Sequence, residues 1–324
     1  MNDFNQQNHF VHYTTIIRKC CIMHVGLWFL LVPAIFFVLV WVDYLLAVLW
    51  VHFKPASAKL TKTQCEGSGA PGSVLIYMPG ILARSKDQLE SVKDADSLLD
   101  LYKKDFKKII LFDYSKRFFN RTVIVRQLRM QIAEEVGRNN SVKIIGVSFG
   151  ANLVNEALAG IHNHENLEFV VVDAPAGRDT LPKVAGIMSA ILFLFPVGKG
   201  LLLGCATIPV LGSMLPKENE TEDGLSSDEV RKLAKKGLSG FTARVYTGQL
   251  TYMVNFVLLP IFAKTYYITC VEGNVTVKQP EAMQKWVSAA FRKGLDIIEV
   301  PAPHAAFLQQ PKAFTKVFKE IFSS

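Results

Sequence analysis

The segment from Ser141 to Val154 constrains the fold of this chain more than any other, because it reads as an apolar strand, a tight turn and a helix in immediate succession. The turn is Gly146-Val147-Ser148-Phe149-Gly150, a G-x-S-x-G pattern. The two glycines fit it, because a sharp strand-to-helix turn crowds the backbone beside the serine and leaves no room for a Cβ atom. A nucleophile elbow requires this order of elements, so Ser148 is the first candidate for a catalytic serine.

Composition limits the classes of protein to which the chain can belong. Its 324 residues, of which 50% are hydrophobic and 20% charged, can bury one large core or a core with a subdomain. The net charge is +8, yet lysine and arginine are scattered and no aromatic-interleaved basic stripe accompanies them. We therefore expect attraction to an anionic membrane surface and no nucleic-acid partner.

Neither a metal nor a cofactor is predicted. The five cysteines contain no CxxC pair, so no zinc site or disulfide framework follows: Cys20, Cys21, Cys65, Cys205 and Cys270. His162 and His164 have no third ligand nearby in sequence and read as a polar loop. Because no G-x-G-x-x-G or G-x-x-x-x-G-K-S/T motif occurs, neither a dinucleotide nor a nucleoside triphosphate is implied. No pattern indicates the oligomeric state.

The N-terminal region predicts a single-pass membrane anchor at residues 25–53, preceded by a flank at 1–24. No charged residue occurs from Cys20 to Val42, and the apolar run from Val25 to Val42 is about as long as one bilayer crossing. A cleaved signal peptide would have a shorter apolar region with a small-residue cleavage site close behind it. A buried core helix is the alternative, but tryptophans in this region suit membrane interfaces better: Trp28, Trp41 and Trp50.

The sequence does not decide on which side of the membrane the part of the chain after the anchor lies. Positive charges flank both ends of the anchor, so the positive-inside count is nearly balanced. These charges are Arg18 and Lys19 on one side, and Lys54, Lys59 and Lys62 on the other. Four N-x-S/T sequons do not settle the side either, because sequons arise often by chance: Asn120, Asn139, Asn219 and Asn274.

Strand-like and helix-like segments alternate beyond a linker at residues 54–73, which is rich in Lys, Thr, Gly, Ser and Pro. Strands are predicted at 74–78, 108–113, 142–147, 167–173, 265–271 and 295–300, and helices within 85–106, at 121–136, after 149, near 281–292 and at 311–322. Continuous apolar strands alternating with helices imply a mostly parallel sheet covered on both faces, a doubly wound α/β architecture.

The alternation breaks once, between Asp173 and Thr265. Two apolar runs lie inside, at 184–197 and 201–215, and each is shorter than a bilayer span. We therefore expect a mostly helical cap over the site rather than a membrane hairpin. The apolar surface of the cap would suit an apolar substrate or contact with the membrane. The alternative is that these apolar residues only pack the cap against the sheet.

A catalytic serine needs a base, because its hydroxyl is a poor nucleophile until a base takes its proton. His304 is the histidine placed for that role, since it follows the predicted strand ending at Val300 and precedes the final helix. The other six histidines lie in or beside the anchor or in the loop at 162–164.

From about Val74 to its C-terminus the chain resembles an α/β-hydrolase fold serine hydrolase of the esterase and lipase kind. Gly146 to Gly150 matches the elbow, and His304 before Phe307 and Pro311 matches the family's terminal H…F…P segment. The resemblance implies a hydrolase core at 74–177 and 265–324, with a cap or lid inserted at 178–264.

The acid of the triad departs from the family pattern. Family members commonly carry an aspartate just after the penultimate strand, whereas this chain has Glu272 and Asn274 there. Asp173, which ends the strand after the elbow helix, occupies a position that some members use, and it preserves the order serine, acid, histidine. Asp173 and Glu272 both stay open, as do a serine–histidine dyad and weak orientation of His304 by Asn274.

Backbone amides would stabilise the negative charge that develops on the substrate carbonyl oxygen. The amide of Phe149 is the first candidate. The second should come from Met78-Pro79-Gly80-Ile81, which stands in place of the family's H-G segment. Because Pro79 has no N–H, Gly80 or Ile81 must donate. Asp113 also ends a strand, but it precedes the elbow and is a poor candidate for the acid.

These features predict a membrane-anchored serine hydrolase that contacts membrane lipids. It would cleave a carboxylic ester, for example a lipid or an acyl thioester, through an acyl-Ser148 intermediate. The same machinery would support an amidase or peptidase. A different class is a noncatalytic membrane protein that uses the fold as a binding or scaffolding module, an alternative raised by the asparagine at the usual acid position.

Overall fold

The computed structural model describes residues 58–81, 97–161, 165–181, 243–260, 262–271, 277–288, 295–302 and 310–323. It also describes short stretches between 31 and 54 and between 225 and 232, and single positions such as Ser85, Leu89, Phe241, His304 and Phe307. The chain divides into two units, Met1–Leu49 and Trp50–Ser324. Within the described residues, no helix is both long and apolar enough to span a membrane. The predicted anchor at 25–53 lies partly outside the described residues and stays a prediction.

Among the described residues of the larger unit, seven strands form one sheet. They are β1 (Thr61–Glu66), β2 (Ala70–Met78), β3 (Phe106–Asp113), β4 (Ser141–Val147), β5 (Leu167–Val172), β6 (Lys264–Cys270) and β7 (Leu295–Val300). Their spatial order is β1-β3-β2-β4-β5-β6-β7, and all neighbours are parallel except β1 and β3. Apolar residues fill both faces of the central strands, as parallel sheets require, because helices cover both sides.

Helices pack on both faces of this sheet. They are α1 (Leu98–Asp105), α2 (Arg121–Gly137), α3 (Phe149–Leu158), α4 (Ala243–Val254), α5 (Gln279–Ser288) and α6 (Pro311–Ser323). Side chains of β2 alternate between two cores: Ile76 packs with residues of α2 to α5, and Leu75 packs with residues of α1 and α6. The predicted doubly wound, mostly parallel α/β architecture is confirmed.

Strand β1 lies inside the segment that the sequence analysis assigns to a linker. It pairs antiparallel with β3, and β2 begins at Ala70, so much of residues 54–73 belongs to the sheet. The strand is hard to recognise because it is a polar edge strand whose residues are exposed or half-buried. Its entry is fixed on α2, where Gln127 accepts from the Leu60 amide at 2.8 Å and donates to the Leu60 carbonyl at 3.0 Å.

A buried carboxylate ties α2 to the sheet. Glu135 is fully buried, and Lys108 of β3 donates to it at 2.6 Å. Gln131 and Asn140 also donate to its two oxygens, at 2.9 and 3.0 Å. A buried charge is tolerated only when such partners replace water. Glu135 therefore fixes α2 against β3, which carries Lys108, and against the turn that carries Asn140.

We predict that Glu135→Ala lowers the free energy of unfolding by about 3–5 kcal/mol, because it leaves Lys108 without its buried partner. Glu134→Ala is the matched control, since Glu134 pairs with Arg138 at 2.7 Å while their side chains are 49% and 56% exposed. Its expected cost is about 0.5 kcal/mol or less. Urea unfolding of both variants measures the difference, and equal costs would contradict the assignment.

Candidate active site

Ser148 occupies a strained turn between β4 and α3. Its backbone has φ 48° and ψ −119°, a region that non-glycine residues adopt rarely. A Cβ at Gly146 would lie 2.6 Å from the Cα of Ala151, and one at Gly150 would lie 2.4 Å from the carbonyl oxygen of Pro79. Both contacts are with backbone atoms, which cannot turn aside. The expectation that the elbow leaves no room for a Cβ is therefore confirmed.

Asp173 ends the strand next to the elbow. The Ser148 amide donates to the Val172 carbonyl at 2.8 Å. Ser148 directly follows β4 and Asp173 directly follows β5, and these two strands are hydrogen-bonded neighbours. The Asp173 amide donates to the Ile268 carbonyl of β6 at 2.8 Å. The aspartate is fully buried, and its backbone is also left-handed, with φ 51°. Two ladder hydrogen bonds thus fix where these two residues leave the sheet.

His304 joins the serine to the aspartate. Its Nε2 lies 3.1 Å from Ser148 Oγ, and its Nδ1 is hydrogen-bonded to Asp173 Oδ2. The histidine lies between β7 and α6, and Phe307 anchors this connection by packing on Phe314, with ring centroids 4.5 Å apart. The structure therefore brings together three of the predicted site residues. The alternative acid, Glu272, and Asn274 lie outside the described residues.

Two side chains that the sequence analysis does not identify hold the backbone just after Asp173. Tyr267 Oη and Trp286 Nε1 both donate to the carbonyl oxygen of Ala174, at 3.2 and 3.1 Å. Burial, and then the negative charge of Asp173, raise the pKa of Tyr267 well above its ordinary value. The phenol therefore stays a donor. No local motif marks either residue, because each reaches Ala174 across about 100 residues of chain.

The predicted oxyanion donors lie beside Ser148. Phe149 begins α3, whose N-terminus carries partial positive charge that favours a developing anion. A Cβ at Gly80 would lie 3.6 Å from Ser148 Cβ, so the loop after β2 faces the serine. Ile81 follows it and packs against the core. These positions fit an oxyanion site between the start of α3 and residues 80–81.

Helix α4, which falls within the predicted cap at 178–264, covers the start of the elbow helix. The ring of Tyr252 meets that of Phe149 edge-on at 5.6 Å. Its hydroxyl lies 2.9 Å from Glu156 Oε2, which also accepts from Arg121 Nε at 2.6 Å. Residues 182–224, with both predicted apolar runs, lie outside the described residues.

Asp113 has a structural partner. Its Oδ1 accepts from the amide of Ser85 at 2.7 Å, and the Ser85 hydroxyl donates to the carbonyl of Phe112 at 2.5 Å. These bonds fix the segment after β2 to the end of β3. Among the described residues, no group of three His, Cys, Asp or Glu side chains is placed to hold a metal ion.

We predict that Gly150→Ala lowers the free energy of unfolding by about 3 kcal/mol, because its Cβ would meet two backbone carbonyl oxygens at 2.4 and 2.6 Å. Gly137→Ala is the control: at this helical glycine no described residue outside the adjacent backbone lies within 4 Å of the added Cβ, and the change should stabilise by up to about 1 kcal/mol. Thermal and urea unfolding compare them. A Gly150→Ala protein as stable as wild type would refute the close approach.

Comparison with known proteins identifies the fold. Neither a protein-family model nor a curated protein sequence matches the chain.

Solved structures do match. An esterase from Exiguobacterium antarcticum is 13% identical, with a TM-score of 0.58 over 82% of this chain and 96% of that one. A bromoperoxidase from Bacillus anthracis is 14% identical, with a TM-score of 0.60 over 82% and 95%. An α/β-hydrolase enzyme from a Medee basin deep-sea metagenome library is 17% identical, with a TM-score of 0.59 over 82% and 94%. This chain has an α/β-hydrolase fold.

Proposed function

We propose that the protein is a serine hydrolase that cleaves a carboxylic ester through an acyl-Ser148 intermediate. One observation carries the proposal: Ser148, His304 and Asp173 form a continuous hydrogen-bonded chain. They lie at the carboxyl ends of parallel strands, the edge at which sheets of this kind bind ligands. The esterase from Exiguobacterium antarcticum has the same fold, which is consistent with such chemistry.

The first half of the reaction forms the acyl-enzyme. His304 Nε2 takes the proton of Ser148 Oγ as the oxygen attacks the ester carbonyl carbon, and a tetrahedral intermediate forms. The amide of Phe149 and that of Gly80 or Ile81 donate to its oxyanion. His304 then gives the proton to the leaving alkoxide, and the carbon–oxygen bond to it breaks.

The second half releases the acid. His304 takes a proton from water, the resulting oxygen nucleophile attacks the acyl carbonyl, and Ser148 leaves with that proton. Asp173 accepts from His304 Nδ1 and stabilises the imidazolium in both halves. Its carboxylate has no exposed surface, which keeps water from competing for the histidine.

The substrate that we propose is a lipid or another long-chain ester or thioester, met at a membrane surface. Described positions between 31 and 53 are helical and carry exposed apolar side chains. Among them, Val38, Leu39 and Leu46 are 58%, 60% and 59% exposed. Such a surface is costly in water and favours burial in a bilayer. The net charge of +8 adds attraction to anionic lipids.

A noncatalytic scaffolding role is the weaker candidate. It rests on the missing aspartate at the usual acid position, whereas the contact of Asp173 with His304 supports an acid from a different strand. A scaffold also has no need for a left-handed serine, whose backbone strain must be offset by packing elsewhere.

Covalent labelling tests the nucleophile. We expect a fluorophosphonate probe to label the detergent-solubilised full-length protein, and not Ser148→Ala, while His304→Ala reacts much more slowly. Labelling that does not depend on Ser148 would refute the proposal, and so would a wild-type protein that neither reacts nor hydrolyses esters of any chain length.

Ester hydrolysis tests the acid. We predict that Asp173→Asn lowers kcat by about 10⁴-fold, the loss that this exchange causes in a serine protease triad, because asparagine carries no charge to stabilise the imidazolium. Glu272→Gln is the control and should keep wild-type kcat. If Glu272→Gln is the slower variant, Asp173 is not the acid.

A further inference from the structure

Tyr114 connects the two halves of the proposed oxyanion site. It directly follows β3, is 3% exposed, and none of the proposed chemical steps uses it. Its hydroxyl reaches the loop after β2, and its ring reaches the first residue of α3. No motif in the sequence marks this residue, because both contacts are long-range.

The hydroxyl fixes the orientation of the oxyanion loop. Tyr114 Oη donates to the carbonyl oxygen of Pro79 at 2.7 Å. Pairing of β2 with β4 ends at Met78, so the Pro79 carbonyl lies beyond the sheet ladder and needs another donor. The Pro79–Gly80 peptide is trans and planar, so its carbonyl and the Gly80 N–H point in opposite directions. By holding the Pro79 carbonyl, the Tyr114 hydroxyl therefore sets the direction of the Gly80 N–H. It also sets the direction in which the backbone continues to Ile81.

The ring fixes the other donor. It packs against the ring of Phe149, with centroids 5.6 Å apart and planes inclined at 55°. Phe119 and Tyr252 enclose the same phenylalanine at 5.8 and 5.6 Å, and Phe149 has no exposed surface. A residue whose side chain is enclosed in this way has little freedom to rotate its backbone amide.

We propose that Tyr114 is a positioning residue that sets the separation between the two oxyanion donors, the Phe149 amide and the amide at Gly80 or Ile81. The inference rests on the proposed hydrolase function. Preorganised donors stabilise an oxyanion only when they are already in place, and a displacement of about 1 Å costs roughly 100-fold in rate. Tyr114 therefore acts on the transition state and not on binding of the neutral ester.

The effect should not depend on pH. Burial raises the pKa of Tyr114 well above its ordinary value, and the nearby Tyr252 and Asp113 raise it further. The hydroxyl is consequently a donor throughout the range in which the protein is folded, and its contribution to rate is a constant factor.

Tyr114→Phe tests the proposal, because it keeps the ring and removes the hydroxyl. We expect kcat to fall roughly 10- to 100-fold, with KM within about twofold of wild type. The ratio of wild-type kcat to variant kcat should be the same at every pH from about 6 to 9. The affinity for a trifluoromethyl ketone, whose serine adduct places an oxyanion in the site, should fall by the same factor as kcat/KM. Tyr102→Phe is the control: its hydroxyl is buried in the other core and has no hydrogen-bond partner among the described residues.

Rescue separates positioning from packing. Replacing Tyr114 with p-aminophenylalanine keeps an N–H donor at the same position and should restore most of the lost kcat. If Tyr114→Phe keeps wild-type kcat and ketone affinity, or if it raises KM alone, the positioning role is refuted while the hydrolase function stands. If Tyr114→Phe has a lowered melting temperature, the p-aminophenylalanine protein decides the question. If that protein has wild-type stability and still does not recover kcat, the positioning role is also refuted. Absence of Ser148-dependent hydrolysis in wild type refutes both.

Discussion

Backbone contact between the first turn of α3 and the end of β2 is the constraint on which the site depends. At Gly150 the two chains approach so closely that one methyl group would overlap carbonyl oxygens of Met78 and Pro79. This approach places the N-terminus of the helix beside the loop that follows β2. The serine, the amide after it and residues 80–81 therefore meet as a consequence of packing, and the left-handed backbone of Ser148 is the strain that this packing imposes.

The parts that could be predicted from sequence are those whose cause is local. Strands β2, β4 and β5 are recognisable because the second half of each is buried on both faces and therefore almost entirely apolar. The elbow is recognisable because the steric requirement for glycine, which is the lack of room for a Cβ, falls within a pattern of five consecutive residues. Strand β1 escapes recognition for the opposite reason: it is a half-exposed edge, and its polar sequence does not differ from that of a loop.

The parts that could not be predicted depend on contacts between distant segments. Sequence left Asp173 and Glu272 open because 131 and 32 residues separate them from His304, and only the folded chain brings the histidine to Asp173. The supports at Pro79 and Ala174 are harder still. One hydrogen bond holds the Pro79 carbonyl and two hold the Ala174 carbonyl, and each comes from a buried aromatic side chain. Such a bond requires only a hydroxyl or indole N–H within reach of the carbonyl, which no short sequence pattern specifies.

The position of Asp173, the acid that we propose, has a consequence for how this scaffold can change. Ser148 and Asp173 follow adjacent strands, so their spacing is inherited from the separation of neighbouring strands, about 4.8 Å, and is as rigid as the sheet itself. With Asp173 as the proposed acid, the proton relay requires no carboxylate from the connection after β6, where members of the family that the sequence resembles commonly carry it. That connection is a place where insertions, new binding residues or an engineered recognition loop could be added to the protein without disturbing the chemistry.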